Sequence, residues 1–515
     1  MFKKMLCCLL AFALVLVSGG VRIILPVSAE PAIGEDMGSI SMQNDFADDA
    51  VMVVMTHEAS LQFIDYTPAD FPGVEIAEIE DLSSGKGAKV QAVLNGEQLE
   101  MNSIGARFMN QNIDVDGFRR ILCLKLANPG KGNVLRAVMA LEQREDVYSA
   151  EPNYICQGIE PIETQAVVSS ADQIYGWAAD KIEQQAAWGI ETGSTSVLVG
   201  VVDTGIDVSH PEWSNKVNTS LSRNYVDDGG PATQDIHGHG THVAGIIGAK
   251  YNNDELNFSG VCQNVTLVSL RVANKQGKFW VDDLISAIDH SDENDIPILN
   301  ISLTSRYNDY TDLKQAAANY SGLMICAAGN RAENIDFNET APASLNNANI
   351  ISVGASTSAD AIWLSSNYGS VAVDLFAPGE DILSCYPRSL CSPTICASGN
   401  HLEYGYHIKS GTSMATPFVT GVAALILAHN PHISRSTIKS LLIGTGDPVA
   451  AFSGICVSGR RLNAYNALSH LSAHGNVAFT YVNDDQHRCR CVDCGITWLE
   501  NNVIHPILGT CMLCN

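Results

Sequence analysis

One hydroxyl stands out for its setting. Residues 411–417 read Gly-Thr-Ser-Met-Ala-Thr-Pro and run into apolar sequence as far as Ala428. The pattern predicts a buried helix beginning at this point, with Ser413 at its start and Pro417 in its first turn, where a missing N–H costs little. A helix start carries partial positive charge and free N–H groups, which favours negative charge developing nearby. A lone serine in that place is ordinarily a cap. It becomes a nucleophile only if the chain also supplies a base, an orienting acid and a donor to an oxyanion.

Three other stretches offer those groups. Val199–Asp203 is an apolar run ending in an acid, followed by Thr204 and the turn residue Gly205. Taken alone, it also reads as an ordinary strand-to-helix turn with a capping Asp. His237-Gly-His239-Gly-Thr-His242 places three histidines within six residues, just before small apolar residues. A neutral imidazole can take a proton from a hydroxyl near neutral pH. The same spacing also suits metal ligation, and it is similar to the His-x-His-x-Asp-His motif of metallo-β-lactamases, with Thr241 in place of the Asp. Ala327-Ala-Gly-Asn330 ends another apolar run with an amide, which serves either as an oxyanion donor or as a turn residue.

Stepping outward, residues 172–470 alternate apolar strands with helical segments: 197–202, 267–272, 296–303, 323–328 and 350–353 read as strands. Unbroken apolar strands between helices predict an α/β fold, with a mainly parallel sheet covered by helices on both faces. Chemistry in such sheets gathers at the carboxyl ends of the strands. Residues 50–157 have another pattern. There 121–126 and 147–154 read as strands and 131–143 as an amphipathic helix, which makes a separate α+β domain. Residues 30–48 are acidic and aperiodic and read as a mobile lead, and 157–171 as a linker.

With Asp203, His239, Asn330 and Ser413 in that order, the chain resembles the subtilisin family of serine proteases. The resemblance rests on Asp-Thr-Gly-Ile-Asp at 203–207, His-Gly-Thr-His-Val-Ala-Gly at 239–245, Ala-Ala-Gly-Asn at 327–330, Ala-Pro-Gly at 377–379 and Gly-Thr-Ser-Met-Ala-Thr-Pro at 411–417. It covers 172–470 and implies roles. Ser413 would attack a peptide carbonyl, His239 would shuttle the proton, Asp203 would orient the imidazole, and Asn330 would donate to the oxyanion. His242 would be a packing histidine. Ser302, Leu303, Thr304 and Gly329 would line the substrate cleft, with Thr304 replacing a glycine usual in the family. A branched side chain there would narrow the pocket, and Arg331 would stand at its rim. A longer loop than usual, 385–405, would form another rim. The resemblance also implies calcium on Gln173, Glu212, Asn252 and Asn253, oxygen ligands of the right kind. Residues 50–157 would be the family's propeptide, assisting folding and inhibiting the enzyme until cut within 157–172. Two other classes stay open: a metal-dependent hydrolase using His237, His239 and His242, and a non-catalytic binding protein.

The ends of the 515-residue chain point to export. Lys3 and Lys4 precede an apolar stretch, and Val27-Ser28-Ala29 is a small-x-small cleavage pattern, so 1–29 read as a signal peptide; a retained membrane anchor is the alternative. A formal charge of −26 argues against nucleic acid and anionic membrane surfaces as partners and is consistent with a soluble secreted protein; protein or peptide substrates are what the resemblance implies. Of 15 cysteines, Cys385, Cys391 and Cys396 share one loop, where a local bridge is expected, and Cys326 reads as a free core thiol. In the Cys-rich tail, 475–515, Cys491-x-x-Cys494 and Cys511-x-x-Cys514 have the spacing of a zinc ribbon; two disulfides are the rival reading.

Overall fold

The computed structural model describes residues 45–62, 65–156, 158, 176–213, 215–250, 259–306, 310–391, 405–472, 477–483, 486–491 and 497–501. They all lie within one compact unit, 42–515. The expected signal peptide, most of the linker, Gln173, Asn252, Asn253 and three of the four tail cysteines fall outside them.

Apolar strands with no polar alternation must be covered on both sides, and that decides the larger half of the molecule. A nine-stranded sheet runs in the order Asp447–Pro448, Arg460–Arg461, Leu375–Pro378, Ile350–Ser356, Leu323–Ala327, Ile298–Ile301, Leu198–Asp203, Thr266–Arg271, Arg223–Asn224. All its pairings are parallel except the outermost, Asp447–Pro448 with Arg460–Arg461. The chain order reverses between Leu198–Asp203 and Ile298–Ile301. Such a switch point opens a crevice at the carboxyl ends of the strands. Register sharpens this: Val202 pairs with Ile301, so Asp203 and Ser302 leave neighbouring strands side by side.

The expected strands are present with ends shifted by a few residues; 296–303 contracts to Ile298–Ile301, and Ser302, Leu303 and Thr304 follow outside the strand. The helix Thr412–His429 forms as expected and is buried from Thr412 to Leu427. Among the described residues it alone is long and apolar enough to cross a membrane, and here it is a core element of the sheet domain. The expectation for Pro417 is corrected: it lies in the second turn, inside the helix.

The expected α+β elements are also present and begin earlier than expected. Their first strand, Phe46–Met55, starts within the stretch read as a mobile lead. Asp48 and Asp49 there face outward, while Ala50–Met55 are fully buried, and that apolar run fixes the strand. The sheet order is Ile76–Asp81, Ile121–Leu126, Phe46–Met55, Val147–Cys156, Phe279–Trp280, all antiparallel. The last strand belongs to the other half of the molecule: Ile155 pairs with Trp280 and Cys156 with Phe279. One face of this sheet carries the helix Lys131–Leu141, and the other rests on Val281–Glu293 and Thr311–Asn319. A three-stranded antiparallel sheet, Val477–Asn483, Gln486–Cys491 and Thr497–Asn501, lies in the tail, with Cys491 ending its middle strand.

Candidate active site

Asp203 is the last residue of its strand and is completely buried. His239 opens the helix His239–Gly248 and is also buried. Its Nδ1 lies 2.8 Å from Asp203 Oδ1 and 3.0 Å from Oδ2. A carboxylate only accepts, so this contact puts the proton on Nδ1 and leaves Nε2 as the basic nitrogen. The approach to His239 depends on Gly238, whose φ is +93° and where an added Cβ would stand 2.1 Å from the Tyr386 ring. No other residue type fits that backbone and that gap.

Ser413 is the second residue of its helix and nearly buried. Its Oγ donates to the Ser302 carbonyl at 3.1 Å, and Ser302 Oγ donates to the Ser413 carbonyl at 3.0 Å. Pro417 explains the second bond. In an unbroken helix the N–H of residue 417 would take the Ser413 carbonyl, but proline has none. Ser302 fills the place and is itself held by Asn300 Nδ2 at 2.9 Å, while Asn300 Oδ1 accepts from Thr420 Oγ1 at 2.8 Å. Strand end and serine helix are thus tied from both sides. Catalytic hydrogen bonds commonly tighten only when substrate is bound, so the Ser413 hydroxyl's present contact with Ser302 is compatible with a later one to His239.

Asn330 follows the Leu323–Ala327 strand. Its Oδ1 accepts from both Thr412 N and Thr412 Oγ1, each at 2.9 Å, which fixes which end of the amide is the oxygen. The amide nitrogen points the other way as a donor. Gly329, with φ +101°, turns the chain here, and its N–H donates to Thr412 Oγ1 at 3.0 Å. Asn367, which carries no sequence signal, braces the turn: Nδ2 donates to Ala328 O at 2.8 Å, and Oδ1 accepts from Arg331 N and Glu333 N at 3.0 Å each. Leu303 is fully buried and Thr304 half-buried; the Thr304 N–H donates to Gly158 O at 3.0 Å.

The other two histidines behave differently. His242 is completely buried, its Nε2 faces the carbonyls of Ile382 and His407 at 3.1 and 2.9 Å, and burial holds its pKa well below the ordinary value. His237 lies edge-on to His239, ring centres 6.2 Å apart, and burial with that neighbour pushes its pKa down to about 4. Among the described residues no three His, Cys, Asp or Glu side chains converge as a metal site. The metal-hydrolase alternative is therefore not favoured. Of the calcium ligands implied by resemblance only Glu212 is described; it is buried, and its Oε1 accepts from Tyr406 OH at 2.5 Å. The described residues do not by themselves make that site. Cys326 is a free buried thiol as expected; Cys385 is also free and buried in the strand Ile382–Cys385, whereas Cys391 is disulfide-bonded.

A parallel α/β sheet with a buried Asp–His pair at its carboxyl edge, and a serine at the start of a helix packed against the histidine's helix, has the architecture of a serine hydrolase. The comparison with known proteins narrows the class: residues 194–475 match the subtilase family, peptidase S8, and the chain belongs to it. It is a serine-type endopeptidase. The thermophilic serine proteinase of Bacillus sp. (strain AK1) is 32% identical over 345 residues, 66% of this chain and 77% of that one. Halolysin of Haloferax mediterranei is 31% identical over 341 residues, 64% of this chain and 59% of that one. Among solved structures, a lanthipeptide protease aligns with a TM-score of 0.50 at 25% identity, covering 58% of this chain and 95% of that chain.

Proposed function

We propose that the chain is a secreted serine endopeptidase, made as an autoinhibited precursor, that cleaves peptide bonds through an acyl-enzyme formed on Ser413. The observation that carries this is the buried Asp203–His239 pair, whose proton lies on Nδ1 and whose Nε2 is left basic. Ser413 Oγ attacks the substrate carbonyl carbon and His239 Nε2 takes the hydroxyl proton. The carbonyl oxygen becomes an oxyanion, met by the Asn330 amide and the Ser413 backbone N–H. When the C–N bond breaks, His239 returns the proton to the leaving amine. Water, deprotonated by the same imidazole, then attacks the acyl carbon, the bond from that carbon to Ser413 Oγ breaks, and His239 returns the proton to Oγ. Asp203 holds the tautomer and stabilises the imidazolium.

Residues 50–157 act in this reading as the propeptide. Their last strand pairs with Phe279–Trp280, and Gly158 then meets Thr304, so the segment runs along the cleft as an extended substrate would. Cutting within 157–172 would free that edge for substrates. Metal ions have only a structural part: calcium near Glu212 with Gln173, Asn252 and Asn253, and zinc or two disulfides on the tail cysteines. Export through the residue 1–29 signal is supported by the extracellular serine proteinase of Thermus sp. (strain Rt41A), 35% identical over 281 residues.

The decisive experiment treats the purified protein with a serine-directed phosphonate, with and without a chelator. Labelling at Ser413 that the chelator leaves intact is expected. Chelator-sensitive hydrolysis without labelling would instead assign the reaction to a metal, and neither labelling nor hydrolysis would leave a binding protein.

A further inference from the structure

Asp235 is a carboxylate with no part in the steps above, yet it is enclosed entirely by protein. Burial raises its pKa against the pull of its own hydrogen bonds. An isolated buried carboxylate is costly, so its partners matter. Oδ1 accepts from Thr204 Oγ1 at 2.9 Å, His237 N at 3.0 Å and Gly238 N at 2.7 Å. Oδ2 accepts from Thr241 N at 2.9 Å and Thr241 Oγ1 at 2.7 Å. All five partners are donors.

The donors come from the two segments that carry Asp203 and His239. Thr204 follows Asp203, and its N–H donates to Asp203 Oδ1 at 2.8 Å. Its hydroxyl also accepts from Gly240 N, the residue after His239, at 2.9 Å. Thr241 Oγ1 accepts in turn from Asp207 N at 3.0 Å. The segments touch backbone to backbone: a Cβ on Gly240 would meet Gly205 O at 2.2 Å. Asp203 and His239 are 36 residues apart in the chain, and Asp235 sits where their supports cross.

We propose that Asp235 is a positioning residue for the reaction: it locks the Asp203 turn to the start of the His239 helix and so sets the Asp203–His239 hydrogen bond. The carboxylate form is required by the partners. An asparagine has one oxygen, and whichever way it turned, its NH2 would face either the Thr241 N–H or the three donors at the other side. The loss would be felt as imidazole misplacement, and misplacements of about 1 Å cost up to ~10²-fold in rate.

This inference rests on the reading of Ser413 as nucleophile, and its test separates the two. Asp235→Asn, Thr204→Val and Thr204→Ser are each made in the full chain. For each, kcat and KM are measured per active site titrated with a phosphonate. Asp235→Asn is expected to lower kcat per titrated site by about 10–100-fold with KM little changed. Thr204→Val should lower it in the same way, and Thr204→Ser, which keeps the hydroxyl, should restore it. Fewer titratable sites with unchanged kcat per site would mean that Asp235 serves folding alone and would overturn the proposal. If Asp235→Asn yields no folded protein, the Thr204 pair decides: equal kcat per site in the Val and Ser variants overturns it. Absence of labelling at Ser413 in the unaltered chain would remove the underlying reading, and this inference with it.

Discussion

At the scale of single residues, the proposed chemistry depends on how partners orient each side chain. Asn330 is the clearest case. Thr412 donates to its oxygen twice over, so in the proposed reaction the donor to an oxyanion is the amide nitrogen. Asn330→Ala should therefore lower kcat by about 10²–10³-fold with KM nearly unchanged, the general cost of one such donor, established on a protease of this kind. Equal loss in KM would place the amide in ground-state binding instead. Thr304 makes a different prediction. Its N–H engages the Gly158 carbonyl, and in the proposed reading its branched side chain narrows the substrate pocket. Activity should fall with bulkier substrate side chains beside the cut, and Thr304→Gly should relieve that fall; a flat series in both proteins would count against narrowing. The residues proposed to react were legible through the order of their motifs. Asn367, Asn300, Thr420 and Asp235 were not, since a polar residue in a loop or helix carries no mark of its partner.

At the scale of elements, two local departures from regular structure do most to shape the site. A proline inside the serine helix leaves the Ser413 carbonyl to Ser302, joining helix to strand end. Helix propensity alone places Pro417 in the first turn, whereas the fold sets it in the second. The neighbouring helix of His239 is entered through Gly238, held at positive φ against Tyr386. Gly238→Ala should be destabilising twice, by the cost of a left-handed backbone (about 1 kcal/mol) and by collision with the ring. The expected result is a fall in urea midpoint together with lower kcat, and Gly238→Ala with Tyr386→Ala should recover part of the stability. A single variant as stable as the parent would show that the ring moves freely.

At the scale of the whole molecule, the α+β domain grips the protease domain through groups that titrate. Asp289, on the helix Val281–Glu293, accepts from the N–H groups of Gly85 and Lys86 at 3.0 and 3.1 Å, and burial raises its pKa to about 7. Asp283 on the same helix is raised to about 8, first by burial and then by Asp282, against Lys125, with Glu80 adding to the rise. Both values lie above the ordinary carboxylate value of about 4, so the sign is set: stability present below about pH 4 is lost as pH rises through these two values. In the full chain with Ser413→Ala, the contact between the domains should open more readily at about pH 9 than at about pH 5, read as protease sensitivity or melting, and Asp283→Asn should flatten the difference. A pH-independent contact would refute this. The sequence by itself determined the alternation of strands and helices, the order of the acid, histidine and serine, and the change of pattern between the leading α+β elements and the rest, because hydrophobic period and motif order are local properties of the chain. Only the tertiary structure decided that Pro417 hands the Ser413 carbonyl to Ser302, that Asp235 joins the two supporting turns, and that the Gly158 carbonyl meets the Thr304 N–H. Each of those depends on which distant segments come within hydrogen-bond distance, and sheet order and register set that, not neighbouring sequence.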